Sequence, residues 1–280
     1  MATDTAANAA QVEYWNAQAG QTWAAFQDKL DRQLEPLGEL AMDALAPQPG
    51  DRVIDIGCGS GQTTLALAQR VGDGGRVEGV DISVPMLEIA RRRAELHSNI
   101  AFLEADAQTH AFPPHGADKV FSRFGVMFFA DPTAAFTNIH KALRPGGRLA
   151  FVCWRPLKFN DWMTLPLQTA VAHVPPPPPP TDPFAPGPFA FSDPDRVRGI
   201  LGDAGFKGVE IKPHDTMIGG NPLEESVELA LRVGPLGALL RENPDQRDKV
   251  VDAVRDLLAK HVGSDGVRMP GAVWIVTAHA

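Results

Sequence analysis

The stretch VIDIGCGSG, Val53 to Gly61, constrains the fold more than any other part of the chain. Three glycines occupy the five positions from Gly57 to Gly61, directly behind a run of branched apolar side chains. Glycine weakens regular structure, so three of them so close together need a physical reason. A plain tight turn is one candidate. The position between a strand and a helix favours the other, a loop whose backbone amides approach a bound group.

The segments on either side of this loop alternate between strand-like and helix-like patterns. Arg52 to Trp154 contains five strand-like runs, RVIDI, RVEGVD, NIAFLEAD, ADKVFSRF and RLAFVCW, with helical patterns between them. Two further runs, KGVEIKP and GAVWIVTAHA, lie near the end of the chain. This β-α repetition predicts an α/β fold with a doubly wound, mostly parallel sheet of at least seven strands. Ser83 and Asp131 are the predicted N-caps of two of its helices.

Composition divides the chain into four predicted parts. Residues 1–48 read as helical, residues 49–154 form the core, residues 155–190 are a Pro-rich insertion, and residues 191–280 complete the sheet with a helical insertion at about 222–265. The six prolines from Pro175 to Pro180 favour an exposed polyproline II loop. The alternative is a docking ligand for another protein.

Charge and cysteine content exclude several classes of function. The 280 residues have a formal net charge of -8, which argues against nucleic acid or an anionic membrane as the main partner. Cys58 and Cys153 form neither a disulfide framework nor a zinc cluster, and no metal site is predicted. The start of the chain lacks a signal-peptide pattern, and no stretch is apolar enough to span a bilayer. We therefore predict a cytoplasmic monomer or homodimer.

Three aspartates lie at or near the ends of the first three predicted strands. Asp55, two residues before Gly57, can hold an ammonium group and would repel a pyrophosphate. Asp81 can accept hydrogen bonds from both ribose hydroxyls, and its alternative role is a cap on the next helix. Asp106 can accept from an adenine amino group, and its alternative role is a turn residue. Together the three favour an adenosyl amino acid over a dinucleotide.

The ordered motifs VIDIGCGSG, GVDIS, LEADAQ, FSRFGVMFFADP and LRPGGRLAFVCW resemble those of class I S-adenosylmethionine-dependent methyltransferases. The resemblance covers roughly residues 50–154 and is strongest toward quinone-biosynthesis and small-molecule methyltransferases. It implies a Rossmann-like sheet of seven strands with an antiparallel last strand, and a lid formed by N-terminal helices and inserted segments. It also implies S-adenosylmethionine as cofactor and S-adenosylhomocysteine as product.

The resemblance also implies which residues contact the cofactor. The glycine loop would line the methionine end, Asp81 the ribose, and Asp106 with the Ala107 amide the adenine edge. Tyr14 and Trp23, in EYWNAQAGQTW, are the lid candidates, with ordinary helix packing as their alternative. The full set is Tyr14, Trp23, Asp55, Gly57, Gly59, Ser60, Gly61, Gln62, Asp81, Ile82, Met86, Asp106, Ala107, Arg123, Phe124 and Gly125.

Methyl transfer of this kind depends on alignment and exclusion of water, so no catalytic residue is predicted. The sequence has no Asn/Asp-Pro-Pro-Tyr/Phe motif and no Pro-Cys pair, which leaves a small-molecule acceptor, apolar or aromatic. Two other functions remain open on a similar sheet. They are a nucleotide-dependent oxidoreductase and a protein that binds S-adenosylmethionine without chemistry.

Overall fold

The computed structural model of the chain describes residues 8–176 and 182–280. Most of the predicted polyproline stretch, residues 177–180, lies outside these ranges, so its predicted conformation is not addressed. No helix within the described ranges is long and apolar enough to cross a membrane.

The secondary structure follows the predicted alternation. The helices are α1 (Ala9–Asn16), α2 (Gln18–Ala25), α3 (Gln27–Leu45), α4 (Gln62–Val71), α5 (Val84–Arg93), α6 (Pro132–Ala142), α7 (Asp161–Val171), α8 (Pro194–Asp203), α9 (Leu223–Ala230), α10 (Gly234–Glu242) and α11 (Arg247–Ala259). The strands are β1 (Arg52–Ile56), β2 (Arg76–Asp81), β3 (Ile100–Glu104), β4 (Ala117–Arg123), β5 (Leu143–Trp154), β6 (Lys207–Asn221), β7 (Val262–Gly263) and β8 (Gly266–His279).

All of these strands belong to one sheet. Its order is β3-β2-β1-β4-β5-β8-β6, and the two-residue β7 pairs with β8. Strands β1 to β5 pair in parallel, and β8 runs antiparallel between β5 and β6. The predicted mostly parallel sheet with an antiparallel last strand is confirmed.

The register brings the carboxyl ends of four strands to one edge. Ile56 pairs with Val80 between β1 and β2, and Asp81 pairs with Glu104 between β2 and β3. Asp55 pairs with Phe121 of β4 on the other side of β1. The loops after β1, β2, β3 and β4 therefore meet at this edge, where open α/β sheets bind their ligands.

An aromatic cluster fills the core between the sheet and α6. The fully buried ring of Phe136 lies 5.6 to 6.3 Å, between ring centroids, from Phe129, Phe151, Phe191 and Phe206. The Asp131 side chain begins this helix as predicted, because its carboxylate accepts from the amide of residue 134 at 2.9 Å. The N-terminus of α6 is thus fixed beside the edge that carries the four loops.

The C-terminal half is more ordered than the sequence indicates. Strands β6 and β8 extend past Trp154, the last residue of β5, and form a hairpin arm in which residues 214–221 pair with residues 267–273. The predicted Pro-rich insertion contains α7, with Pro166 inside the helix, and the predicted helical insertion contains α10. These helices pack with α9 and α11 into a second apolar cluster over the arm.

We expect Phe136→Ala to lower the free energy of unfolding by about 3 to 5 kcal/mol, because a cavity replaces a ring with no exposed surface. Urea unfolding followed by circular dichroism measures the change. Phe159→Ala is the matched control, since that ring is 44% exposed, and it should change stability by less than about 0.5 kcal/mol. Equal losses in the two variants would contradict the proposed position of the core.

Candidate functional site

A cavity of about 130 Å³ lies at the carboxyl edge of the sheet, beneath α2 and α3. Its wall combines the loops after β1, β2, β3 and β4 with side chains from the N-terminal helices. Most of the residues that the sequence predicts lie on this wall, namely Trp23, Gly57, Gly59, Ser60, Gln62, Asp81, Ile82, Met86, Asp106, Ala107, Arg123, Phe124 and Gly125.

Two glycines form the tightest backbone contact of the cavity. A Cβ atom added to Gly57 would lie 2.6 Å from the Cα of Gly125, and one added to Gly125 would lie 2.8 Å from the Cα of Gly57. Gly57 also has a φ of +67°, which other residues adopt only with strain. The Ser122 hydroxyl donates to the Ile56 carbonyl at 2.7 Å beside this contact. The loops after β1 and β4 therefore meet backbone to backbone.

Asp81 lies on the wall and already holds the glycine loop. One carboxylate oxygen accepts from the Gly59 amide at 2.7 Å, and the other accepts from the Ser83 amide at 2.8 Å. Each carboxylate oxygen has a second lone pair, so Asp81 can still accept from a ligand hydroxyl. Burial raises the pKa of Asp81, while the amides of Ser83 and Gly59 counteract this effect. Both roles foreseen for Asp81, binding and capping, are compatible with this geometry.

Asp106 lies on the same wall. One of its oxygens accepts from the Gln108 amide at 2.9 Å, which is the turn role given above as its alternative. Asp81 and Asp106 share one cavity, as the adenosyl hypothesis requires. Ala107 is buried next to Asp106, and its carbonyl accepts from the Asn138 side chain at 3.0 Å.

The Asp55 carboxylate does not lie on the wall. It is 0% exposed, and one oxygen accepts from the hydroxyls of Thr63 and Thr64, both at 2.7 Å. The other oxygen has no hydrogen-bond partner within the described ranges. Burial raises the pKa of Asp55 to about 6, although the two threonine hydroxyls lower it. The structure thus corrects the expectation that Asp55 lines the methionine end.

Two more expectations are corrected by the structure. Tyr14 is 43% exposed, and its hydroxyl lies 3.3 Å from the Arg241 guanidinium, away from the cavity. Gly61 faces the helix and strand behind the loop, since an added Cβ would lie 3.0 Å from the Ala90 side chain and 3.1 Å from the Phe102 ring. Its φ of +82° serves the turn into α4.

The N-terminal helices are tied to the loop after β2. The Asn16 side chain donates to the Ile82 carbonyl at 2.8 Å and accepts from the Val84 amide at 2.9 Å. The Ser83 hydroxyl donates to the Trp15 carbonyl at 2.7 Å. Asn16 therefore takes the capping role predicted for Ser83, whose own side chain makes no cap hydrogen bond. These bonds hold α1 and α2 over the cavity.

Aromatic rings form two sides of the cavity. Trp15 meets Trp23 and Phe128 edge to face, with ring centroids 5.8 and 5.0 Å away. Phe124 stacks on Trp154 at 4.2 Å, and its φ of +64° is unusual for a residue with a side chain. Such rings offer electron-rich faces to a cation.

Helix α3 contributes a charged residue that the sequence analysis missed. One Asp31 oxygen lies 2.8 Å from an Arg93 nitrogen, and the other lies 3.9 Å from an Arg123 nitrogen. The Arg123 guanidinium also donates to the Gln62 side chain at 2.6 Å. Burial raises the pKa of Asp31, and the two arginines counteract it. The Asp31 carboxylate and the Arg123 guanidinium thus lie side by side on the wall near the glycine loop.

The signal for these missed residues lies in the spacing of α3. Gln27, Asp31 and Leu34 follow at i, i+4 and i+7, with Leu30 beside them, and all four line the cavity. An acid within an apolar helical face is the feature that could have identified Asp31. The other wall residues outside the predicted set are Asn8, Trp15, Ile56, Cys58, Val80, Ala105, Phe128 and Phe129.

Comparison with known proteins finds a matching family model and several similar proteins. Residues 53–147 match a family model described as a methyltransferase domain. The chain is 38% identical to aklanonic acid methyltransferase of Streptomyces sp. (strain C5) over 118 residues, 41% of this chain and 54% of that protein. It is 38% identical to demethylmenaquinone methyltransferase of Thermus thermophilus over 117 residues, 41% of this chain and 53% of that protein.

Over residues 53–147 the chain is thus similar to methyltransferases. The chain spans about half the length of these two relatives. A longer match joins the chain to nocamycin O-methyltransferase of Saccharothrix syringae, with 29% identity over 81% of this chain and 85% of that one.

Solved structures share the fold of this chain. Phosphoethanolamine N-methyltransferase 2 of Haemonchus contortus, crystallised with S-adenosylhomocysteine, has a TM-score of 0.55 and 20% identity over 87% of this chain and 52% of that one. The YcgJ protein of Bacillus subtilis has a TM-score of 0.58 and 16% identity over 88% of this chain and 98% of that one. The [4+2]-cyclase SpnF has a TM-score of 0.51 and 19% identity over 88% of this chain and 80% of that one.

We expect the stability of the chain to depend on Asp55 between pH 4 and 6. Its pKa is higher in the folded state than the usual value of 3.8, so the folded state binds the proton more tightly. The free energy of unfolding therefore falls as pH rises from about 4 to about 6, by an amount on the order of 3 kcal/mol. Asp55→Asn, which stays neutral, should lose the part of this fall that comes from Asp55.

Urea unfolding at intervals from pH 4 to pH 7 measures both proteins. The exposed Asp203→Asn supplies the baseline for removing one surface carboxylate. A constant difference between wild type and Asp55→Asn over the whole range would contradict the assignment of a raised pKa to Asp55.

Proposed function

We propose that the protein is an S-adenosylmethionine-dependent methyltransferase that methylates a small, apolar or aromatic molecule. The observation that carries this proposal is a single cavity where the glycine loop, Asp81 and Asp106 converge at the carboxyl edge of the sheet. The match of residues 53–147 to a methyltransferase domain supports the same reaction. The acceptor class is consistent with relatives named for aklanonic acid and demethylmenaquinone.

The wall fits the parts of the cofactor in order. Glycines at the loop let its backbone line the cavity closely, and an added side chain at Gly57 would be blocked by Gly125. Asp81 and Asp106 supply acceptors for ribose hydroxyls and an adenine amino group. Met86 and Ile82 add apolar surface between these two acids. The aromatic side is suited to a cationic sulfonium.

The amino-acid end of the cofactor carries an ammonium and a carboxylate group. Binding it requires one negatively charged and one positively charged side chain. Asp55 is enclosed by Thr63 and Thr64, so we assign the ammonium group to Asp31. We assign the carboxylate group of the cofactor to the Arg123 guanidinium, which is oriented by its hydrogen bond to the Gln62 side chain. The Arg123–Asp31 separation of 3.9 Å is longer than a direct hydrogen bond, which leaves both groups able to bind a zwitterion.

The chain contributes alignment and water exclusion to the reaction. When bound, S-adenosylmethionine would supply a methyl carbon made electrophilic by its cationic sulfur, with the neutral thioether as the leaving group. The tied N-terminal helices cover the cavity, and the Phe124 and Phe128 rings keep water from the reacting centre. Positioning alone can supply much of the rate enhancement. We assign no general base.

The remaining sequence predictions stay proposals. They are a cytoplasmic location, a monomer or homodimer, and the division into a lid at 1–48, a core at 49–154, an insertion at 155–190 and a C-terminal part at 191–280.

Transfer of isotope from methyl-labelled S-adenosylmethionine tests the function. We expect labelled product from at least one member of a panel of phenols, quinols and amines, and a rise in Tm with S-adenosylhomocysteine but not with NAD. A rise in Tm with NAD alone would favour the oxidoreductase. Tight S-adenosylhomocysteine binding without transfer to any acceptor in broad panels would favour a non-catalytic binding protein.

We expect Asp31→Asn to weaken S-adenosylhomocysteine binding by about tenfold to a hundredfold, since it removes a charged hydrogen-bond acceptor. Binding of 5′-methylthioadenosine, which lacks the ammonium and carboxylate groups, should stay unchanged. Isothermal titration calorimetry measures both ligands. Asp28→Asn, one turn earlier on α3, is the matched control for charge. Equal weakening of both ligands would make Asp31 a structural residue and refute its assignment.

A further inference from the structure

Two cavities of the chain differ in the charge of their walls. The first cavity, at the carboxyl edge of the sheet, is lined by Asp31, Asp81, Asp106 and Arg123 among others. A second cavity, of about 50 Å³ in the C-terminal half, has no ionisable side chain among its lining residues, all within the described ranges. Removing charges from water is costly unless they are paired. The charges of the first cavity therefore need support from neighbouring residues.

Arg93, the last residue of α5, gives such support without lining the cavity itself. One guanidinium nitrogen donates to the Gln27 side chain at 2.8 Å and to the Ser60 carbonyl at 3.0 Å. The same nitrogen lies 2.8 Å from an Asp31 oxygen. All three partners line the first cavity. Arg93 thus joins helix α3 to the glycine loop from outside the wall.

Arg93 acts on Asp31 chiefly through its charge. The nitrogen near Asp31 has two hydrogens, and the Gln27 and Ser60 oxygens accept them. The Asp31 oxygen beside Arg93 accordingly has no hydrogen-bond partner within the described ranges, although the two charges are in contact. Burial raises the pKa of Asp31, and the charges of Arg93 and Arg123 lower it. Without Arg93, the Asp31 carboxyl group would therefore keep its proton to a higher pH.

We propose that Arg93 is a positioning residue for the amino-acid end of the cofactor, which keeps the Asp31 carboxylate ionised and fixes α3 against the glycine loop. The proposal rests on the methyltransferase function proposed above and on the assignment of the ammonium group to Asp31. Arg93 contacts no part of the cofactor in this arrangement. It sets the affinity for the ammonium group through Asp31.

Three ligands that share an adenosyl thioether separate the parts of the cofactor. S-adenosylhomocysteine has the ammonium and carboxylate groups, 5′-(3-aminopropylthio)-5′-deoxyadenosine has the ammonium group only, and 5′-methylthioadenosine has neither. We expect Arg93→Met to weaken the first two by about tenfold each and to leave the third within about twofold of wild type. Isothermal titration calorimetry near pH 7 measures all three affinities.

The pH dependence of binding reports the charge of Asp31. In wild type, we expect the ratio of S-adenosylhomocysteine affinity to 5′-methylthioadenosine affinity to change less than about twofold between pH 8 and pH 6. In Arg93→Met, Asp31 takes up a proton as the pH falls, so this ratio should fall by about fivefold or more. The other charged groups of this network are present in both proteins, namely Asp28, Glu35, Asp55 and Arg123.

Three further variants separate this role from a contribution to folding. Arg92→Met, at the exposed neighbour on α5, is the matched control and should leave all three affinities unchanged. Arg93→Lys keeps the positive charge and should restore the ratio that is independent of pH. In the double variant Asp31→Asn/Arg93→Met, the second substitution should weaken S-adenosylhomocysteine by less than about twofold beyond the first, because Arg93 acts through Asp31.

The outcomes distinguish this proposal from the proposed function. Unchanged affinities in Arg93→Met, equal weakening of all three ligands, or full additivity in the double variant would overturn the positioning role and leave the methyltransferase function standing. A loss confined to S-adenosylhomocysteine would link Arg93 to the carboxylate group and would overturn the proposal too. Absence of S-adenosylhomocysteine binding to wild type would overturn the methyltransferase function, and with it the role of Arg93.

Discussion

The site depends on the absence of side chains where two loops cross. Gly57 and Gly125 bring the loops after β1 and β4 so close that a methyl group on either would collide with the backbone of the other. This contact forms part of the wall of the first cavity. The hydroxyl of Ser122 adds a hydrogen bond to the Ile56 carbonyl at the same crossing, so the position is held by both fit and bonding. Any bulkier residue would force the strands apart, because backbone atoms cannot rearrange as a side chain can.

The aspartates around this contact have different roles, which follow from their positions. Asp55 is beneath the loop, where it holds the first turn of α4 through two threonine hydroxyls, and its charge is costly because no cation lies in direct contact. Asp81 fixes the loop from the side through the Gly59 amide and still faces the cavity. Asp31 belongs to one of the N-terminal helices and lies near Arg93 and Arg123. Asp55 is thus enclosed behind the wall, and Asp31 from a distant helix is the acid on the wall beside the glycine loop.

The sequence predicted the sheet well because its evidence is local. Each strand from β1 to β5 is short, apolar and bounded by turn residues, and Asp131 has the cap spacing of α6. The sequence could not separate Asp55 from a ligand contact, since one residue along a strand reverses the direction of its side chain. The missed parts are contacts between distant segments. Asn16 replaces Ser83 as the cap of α5 across 68 positions, and α7 forms despite Pro166 because its apolar face packs against the hairpin arm.

Helix α3 connects these distant parts. Its polar side chains reach the C-terminal insertion through Lys29 with Glu228 and through Arg32 with Glu225, while Asp31 and Leu34 face the first cavity. Any shift of α3 over the first cavity would disturb these ion pairs. Surface ion pairs of this kind are weak, so they permit the motion. Helix α3 therefore joins the wall of the first cavity to the C-terminal helices.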